Sequence, residues 1–321
     1  MASYQRLPSG NWRALYYVNG QRRSLTRPTR RECVKAVDMQ ELIRDGKMTV
    51  GDALNEYIVS RSHTVSPATI YGYNNLRKFH FLGLQKVRID NLTEVKINMA
   101  ISEEAAKYSP KTVRNAWGLL NAAISAHLPT NSWKIQLPQK AKKEIEIPTE
   151  QEVKTLLESA QNTPMLLPLQ LAAFCGLRRS EISALTYADV QDGYIIINKA
   201  VVRGEGGVWH TKKPKSMAGY RRIKLPSVIE IGEGDPKAHL TDLTPNNLTD
   251  GCLHLSHGKI GMHSLRHYYA SVLLKLGVPN KYAARQMGHS GEEMLQRVYQ
   301  HLFPENVAEY DAQIAEKVSQ V

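Results

Sequence analysis

A proline-broken stretch from Pro129 to Pro148 divides the 321-residue chain. Repeated prolines favour a linker over a helix or strand. Just beyond it, Thr149 and Glu152 have the spacing of a capping box, which predicts that a new domain begins there. More than one domain is also what the length predicts. The stretch carries Lys140, Lys142 and Lys143.

The start of the chain is typical of β-structure. Residues 10–18 are rich in aromatic and β-branched side chains, Asn19-Gly20 is a strong hairpin signal, and residues 21–26 predict the return strand. A capping-box pair, Thr29 and Glu32, predicts a helix that ends near Gly46. We expect a small three-stranded sheet with one helix over residues 1–47.

The charge of the chain predicts a polyanionic partner. Lys and Arg number 42 and Asp and Glu 30, for a net charge of +12, which favours nucleic acid over a membrane surface. Up to Arg31 there are seven arginines and no acid. Such a sheet is suited to a DNA groove, although charge also protects exposed edge strands. The candidate DNA contacts are Arg13, Arg22 and Arg23 here, and further along the chain the linker residues Lys140, Lys142 and Lys143 and the pair Lys212 and Lys213.

Residues 48–132 predict a helical domain. Thr49 is a candidate N-cap, and Ser66-Pro67 and Ser109-Pro110 each combine an N-cap residue with Pro at the first helical position. The helix from Pro110 has core spacing along one stripe: Val113, Trp117, Leu120, Ala123 and Ile124. Lys111 and Arg114 at its start are candidate phosphate contacts or simply solvated charges.

The chemistry-bearing residues lie in the last part, residues 149–321. Apolar helices are expected first, then β-structure over 194–225 with a hairpin rising through 209–216 and returning through 221–226, then helices from His263 onward. The pattern assigns no structure to residues 228–261. The candidate residues are Arg178 after a Gly turn, Lys212, Lys213 and Lys215 in the hairpin, and His263, Arg266, His267, His289 and Tyr299.

Together these side chains are suited to metal-free cleavage of a phosphodiester. Arginine forks stabilise charge on non-bridging oxygens, a tyrosine oxygen is a nucleophile, and a lysine is a proton donor to the leaving oxygen. His263 and His267 have a zinc-like i, i+4 spacing but no intervening Glu base, so a metalloprotease is not expected.

The series resembles the tyrosine recombinase (phage integrase) family. That signature is Arg, Lys, His-x-x-Arg, His or Trp, then Tyr, in this order. The positions that match it are Arg178, Lys215, His263 with Arg266, His289, and Tyr299.

The surrounding residues also match the family, and the resemblance implies roles for the matched positions. Tyr299 would be the nucleophile, Arg178, Arg266 and His289 would hold the phosphate, and Lys215 would protonate the leaving oxygen. His263 would assist proton transfer, with Glu181 and His267 as supporting residues.

The resemblance covers the whole chain and implies a multidomain α+β protein. Its parts would be an arm-type DNA-binding domain over 1–47, a helical core-binding domain over 48–132, a linker over 133–148, and a mainly α catalytic domain with a small sheet over 149–321. It also implies strand exchange through a Holliday junction by a homo-tetramer on double-stranded DNA, with arm and core sites. A directionality factor and a host DNA-bending protein are further implied partners.

Two other functions remain open at this point. A type IB topoisomerase shares the chemistry but relaxes supercoils, and a basic N-terminal sheet favours an integrase over it. A catalytically silent DNA-binding accessory protein is disfavoured by the six matched positions. In either case no cofactor is expected, and residues 307–318 are expected to form a last helix that docks on a neighbouring protomer or packs in cis.

Composition indicates the cellular compartment in which the protein is expected to act. Its three cysteines are far apart and no CxxC occurs, which argues against a disulfide framework and a Cys-rich zinc site. Residues 1–6 lack the apolar core of a signal peptide, and no run of about 18 apolar residues occurs. We expect a reduced, cytoplasmic protein of a bacterial host, associated with the nucleoid.

Overall fold

The computed structural model divides into two compact units, residues 1–142 with 203–208 and residues 143–202 with 209–321. None of the described helices is both long and apolar enough to cross a membrane. The predicted boundaries between arm-binding, core-binding and catalytic domains stay a prediction. The residues described are 2–18, 21–44, 48–128, 133–140, 146–214, 217–288, 291–292, 295–296, 298 and 318.

The first unit begins with the predicted sheet and helix: β1 (Ser3–Arg6), β2 (Trp12–Val18), β3 (Gln21–Arg27) and α1 (Arg30–Arg44). The strands are antiparallel in the order β1-β2-β3. Alternation places Ala14 inward, where it is buried with Cys33 and Val37 of α1. The predicted turn at Asn19-Gly20 and the predicted stop at Gly46 lie outside the described residues.

Five helices follow: α2 (Val50–Ser60), α3 (Pro67–Phe79), α4 (Leu82–Gln85), α5 (Glu94–Ala105) and α6 (Pro110–Ser125). The predicted caps are present, since the side chains of Thr49, Ser66 and Ser109 accept hydrogen bonds from the first turns of α2, α3 and α6. The whole predicted stripe of α6 is buried in this unit's core. Local signals therefore specify where these helices begin.

Residues 133–140 contain no helix or strand, as expected for a linker, but they are held against the helical core. Trp133, Ile135 and Leu137 pack on it. Asn98 of α5 pairs with the backbone on both sides of Ile135, through Lys134 O at 3.2 Å and the Gln136 amide at 3.0 Å. Two further linker lysines, Lys142 and Lys143, lie outside the described residues.

The second unit is mainly helical. Leu169, Leu171 and Ala172 of α8 are all buried, α11 packs along this helix, and α7 and α9 also contact it. The predicted capping box of Thr149 and Glu152 begins α7. The helices are α7 (Glu150–Ser159), α8 (Leu166–Cys175), α9 (Arg179–Ile182), α10 (Pro245–Leu255), α11 (Met262–Lys275) and α12 (Asn280–Gln286).

The strands in this part of the chain are β4 (Val190–Gln191), β5 (Tyr194–Ile197), β6 (Ala200–Arg203), β7 (Trp209–Lys212) and β8 (Arg221–Lys224). They form two sheets, β4-β5-β8 and β6-β7. The predicted hairpin between residues 209–216 and 221–226 is therefore wrong, because β7 pairs with β6. β8 pairs with β5 instead, which buries Ile223 beside Ile195 and Ile197 in the core.

Candidate active site

A glycine turn positions the first candidate arginine. Helix α8 ends at Gly176, whose φ of +64° is left-handed, and Arg178 then lies at the N-terminus of α9. The Arg178 Nη1 donates to Glu181 Oε1 at 2.7 Å, and its Nη2 donates to the Gly288 carbonyl at 2.9 Å. A backbone bond from the Arg178 amide to Glu181 Oε2, at 2.8 Å, completes the clamp. The guanidinium is thus fixed on two sides, while the Arg178 side chain as a whole remains about one-third exposed.

Arg266 supplies the second cation from inside the unit. It lies on α11 and is fully buried. Its Nη1 donates to the Gly176 carbonyl and its Nη2 to the Met287 carbonyl. One side chain therefore ties the end of α8 to the end of α12.

Both arginines and His263 line one pocket of about 420 Å³. His263 lies one helical turn before Arg266 on α11 and is exposed to solvent. Residues from α9, the start of α11 and α10 complete the lining: Leu177, Arg179, Ser180, Thr249, Gly261 and Met262. The sequence thus predicted three residues that the fold brings together.

The electrostatics of the pocket favour an anion. Burial, and next the charge of Arg178, lower the pKa of Arg266 well below its usual value. Desolvation, then the charges of Arg266 and Arg178, lower the pKa of His263. A phosphate between the two arginines opposes both charge effects, since it supplies negative charge where two cations face each other.

Glu181 is the anionic partner within the framework of the site. It is buried, and its carboxylate binds Arg178 on one side and Arg221 on the other. Burial alone favours the protonated form, but the hydrogen bond and charge of Arg221, together with Arg178, lower the pKa of Glu181 to about 2. Glu181 is therefore ionised at neutral pH, and the pair it forms with each arginine is charge-assisted.

Arg221 is a buried residue of the site that the sequence did not single out. The side chain of Arg221 is 2% exposed and forms an ion pair with Glu181. The alternation of side chains along β8 indicates this burial, because Arg221 and Ile223 share the inward face of the strand.

His267 lies beside His263, with the two rings edge to face and their centroids 4.5 Å apart. Desolvation by burial, then the charges of His263 and Arg266, lower the pKa of His267 to about 4. Its Nδ1 is buried with no hydrogen-bond partner among the described residues. The role of His267 in supporting the catalytic residues stays a prediction, and its contact with the His263 ring is the observation that bears on that role.

Three of the six predicted catalytic residues, Lys215, His289 and Tyr299, lie outside the described residues, as does the predicted helix over 307–318 apart from Val318. Their described neighbours include Gly288, whose carbonyl binds Arg178, and Val298, which is buried. Within the described part of the chain, no group of three or more His, Cys, Asp or Glu is placed to hold a metal ion.

The candidate DNA contacts differ in how accessible they are. Arg22, Arg23, Lys111, Lys140 and Lys213 are exposed, and Arg13 and Lys212 are half-buried. Arg114 is half-buried as well, and its Nε donates to the Pro138 carbonyl at 2.8 Å. Arg114 therefore holds residues 133–140 against α6, a structural role that the sequence did not indicate.

Arg179 contacts a helix in the region after β8. Its Nη1 donates to Thr249 Oγ1 of α10. Helix α10 lies within residues 228–261, which were not assigned. It begins with Thr244 as N-cap and Pro245 at its first turn, the same device that predicted α3 and α6.

Comparison with solved structures shows that the chain has the tyrosine recombinase fold, as predicted. The integrase of transposon Tn1549 in complex with transposon right-end DNA matches at a TM-score of 0.68 and 19% identity, over 84% of this chain and 100% of that one. A lambda integrase tetramer bound to a Holliday junction matches at 0.58 and 16% identity, over 92% and 94%. A scan against protein-family models and a search of curated proteins find no match.

Proposed function

We propose that this protein is a site-specific DNA recombinase, an integrase that cuts and rejoins DNA to integrate or excise a mobile element. The observation that carries the proposal is that Arg178, at the start of α9, and His263 and Arg266, far along the sequence on α11, line one pocket. The recombinase fold and the net charge of +12 also support it.

In this proposal the Tyr299 oxygen attacks the scissile phosphorus, and the bond from phosphorus to the 5′ oxygen breaks. His263 accepts the tyrosine proton, which its lowered pKa allows because the ring is neutral at pH 7. Lys215 donates a proton to the departing 5′ oxygen. The product is a 3′-phosphotyrosyl link with a free 5′-hydroxyl, and attack by another 5′-hydroxyl reverses the reaction on a new strand.

Arg178, Arg266 and His289 hold the phosphate in this proposal. The clamps on both arginines fix them before DNA binds, so little reorganisation is needed as charge builds on the non-bridging oxygens. The bond energy stays in the covalent link, and the scheme uses neither ATP nor a metal ion.

The partners follow from the same proposal. Two rounds of strand exchange form and resolve a Holliday junction, which requires four protomers on two duplexes. The lambda integrase tetramer bound to a Holliday junction supports that assembly by its similar fold. Arm and core sites, a directionality factor, a host DNA-bending protein and action at the nucleoid of a bacterial cytoplasm complete the proposal.

The experiment is to capture DNA attached to the protein. Cells carrying the element are lysed under rapid denaturation, the protein is purified, and the attached DNA ends are sequenced. An integrase gives a few recurring ends. Adducts at scattered sequences would favour a type IB topoisomerase, and tight DNA binding without adducts would favour a silent accessory protein.

A further inference from the structure

Arg221 is a buried cation that none of the proposed chemical steps uses. It begins β8 and its side chain is 2% exposed. Its Nη1 donates to Glu181 Oε1 at 3.0 Å and its Nη2 to Glu181 Oε2 at 2.7 Å, a two-bond fork on one carboxylate. Such a fork fixes the orientation of a carboxylate as well as its charge.

The same carboxylate clamps Arg178, the arginine at the pocket. Glu181 Oε1 accepts from Arg178 Nη1 at 2.7 Å, so one oxygen serves both guanidiniums. Without a second cation, the charge of Glu181 would cancel that of Arg178 next to the phosphate position. With Arg221 present, the three groups together keep one net positive charge.

Arg221 also contacts the turn that closes the other side of the clamp. A Cβ added at Gly288 would lie 2.7 Å from Arg221 Nη1, which means that the guanidinium packs directly on this turn. The Gly288 carbonyl is the second acceptor of Arg178, at 2.9 Å. Arg221 therefore binds Glu181 and lies against Gly288, the two residues that hold Arg178.

We propose that Arg221 is a positioning residue, the counter-charge that lets Glu181 hold Arg178 without cancelling its positive charge at the scissile phosphate. This inference rests on the proposed function, because it assumes that a phosphodiester is cleaved in this pocket. It assigns to Arg221 an effect on charge stabilisation that is transmitted through Glu181.

The test compares single-turnover rates of covalent adduct formation on a duplex built from the recovered DNA ends. The variants are Arg221→Met, Arg221→Lys, Glu181→Gln and the double variant Glu181→Gln/Arg221→Met. Arg222→Met is the matched control, since Arg222 is the next residue of β8 and lies exposed over the Tyr194 ring. Hydrogen exchange in α8 and α11 monitors folding.

We expect Arg221→Met to slow cleavage about 100-fold, the size typical of losing one preorganised charge contact, and Arg222→Met to have little effect. Arg221→Lys keeps the charge but loses the fork, so it should fall between these two. On a duplex with an uncharged methylphosphonate at the scissile position, the Arg221→Met defect should shrink below about 10-fold, because less charge must be stabilised. A merely structural role predicts equal defects on both duplexes, which would overturn the proposal.

The double variant keeps the proposal testable if Arg221→Met, which leaves the buried Glu181 with Arg178 as its one remaining cation in the described site, unfolds the protein. Once Glu181 carries no charge, removing Arg221 should cost less than about threefold relative to Glu181→Gln alone, as expected for coupled residues. A tenfold or greater further loss would show that Arg221 acts independently of Glu181 and would overturn the inference. Failure of the wild-type protein to form adducts would instead refute the proposed function.

Discussion

Substitution of Gly176 with alanine perturbs the turn on which the pocket is built. Gly176 has φ of +64°, which carries a penalty for any residue with a Cβ. An added Cβ would lie 2.4 Å from Tyr269 Cδ1, so the ring or the turn must move. Gly176 also supplies a carbonyl to Arg266. The change therefore strains the backbone and displaces part of the site.

The two costs can be estimated separately. The left-handed conformation costs about 1 kcal/mol for alanine, and overpacking against the Tyr269 ring adds about 2 kcal/mol. Gly277 is the matched control, because its φ is +68° and no atom lies within 4 Å of an added Cβ. We expect Gly176→Ala to lower the free energy of opening by about 3 kcal/mol and Gly277→Ala by about 1 kcal/mol.

Native-state hydrogen exchange of the α8 amides measures this free energy in the unit that contains the site. In a Tyr269→Ala background, the cost of Gly176→Ala should fall to about 1 kcal/mol, since only the backbone penalty remains. Equal costs for Gly176→Ala and Gly277→Ala would refute the reasoning, because the contact with Tyr269 would then carry no energy.

Two predictions concern pH. The pKa of Glu181 falls from its usual 4.5 to about 2 in the folded protein, so the ionised carboxylate contributes about 3 kcal/mol to the free energy of unfolding above pH 4.5, and this contribution is lost as the pH falls towards 2. Urea unfolding across this range should show a pH-dependent loss of stability that Glu181→Gln reduces. An unchanged profile in Glu181→Gln would contradict the ion-pair assignment. The pKa of His263 is lowered below 6.5, and a histidine must be neutral to act as a base, so kcat/KM for cleavage should decline only below pH 6.5. His263→Gln should remove this decline at acid pH and slow cleavage about 100-fold. A decline that persists in His263→Gln would assign it to another group.

Local signals explain why so many helix starts could be predicted. A Ser or Thr side chain caps the helix that directly follows it, and Pro fits the first turn, so Ser66-Pro67 and Ser109-Pro110 carry the information within a few residues. The same signal is present at Thr244-Pro245, where α10 begins. The helical spacing of apolar residues likewise predicted which face of α6 is buried.

The partners of strands and of buried charges could not be predicted in the same way. The partner of β8 is decided by burial of Ile223 against Ile195, residues distant in sequence, and not by the turn that precedes β8. Arg221 is buried because Glu181, 40 positions away in the chain, offers it a carboxylate. Arg114 is occupied for a similar reason, since its partner is a backbone carbonyl 24 positions later.

The sequence predicted side chains of the candidate site but not the backbone groups that orient them. The motif spacing predicted Arg178, His263 and Arg266, and the fold brings these three to one pocket. The clamps that orient them use the carbonyls of Gly176, Met287 and Gly288, which have no signature in the sequence because every residue carries a carbonyl. Which carbonyl faces inward is set only by the packing of α8, α11 and α12.

The most direct test of the central claim is to identify the residue that carries the DNA. Adducts captured from cells are digested with nuclease and protease, and mass spectrometry locates the nucleotide on a peptide. The proposed mechanism predicts one modified residue, Tyr299, with Tyr299→Phe abolishing the adduct and the exposed Tyr282→Phe leaving it intact. A nucleotide on another residue, or an adduct that persists in Tyr299→Phe, would contradict it.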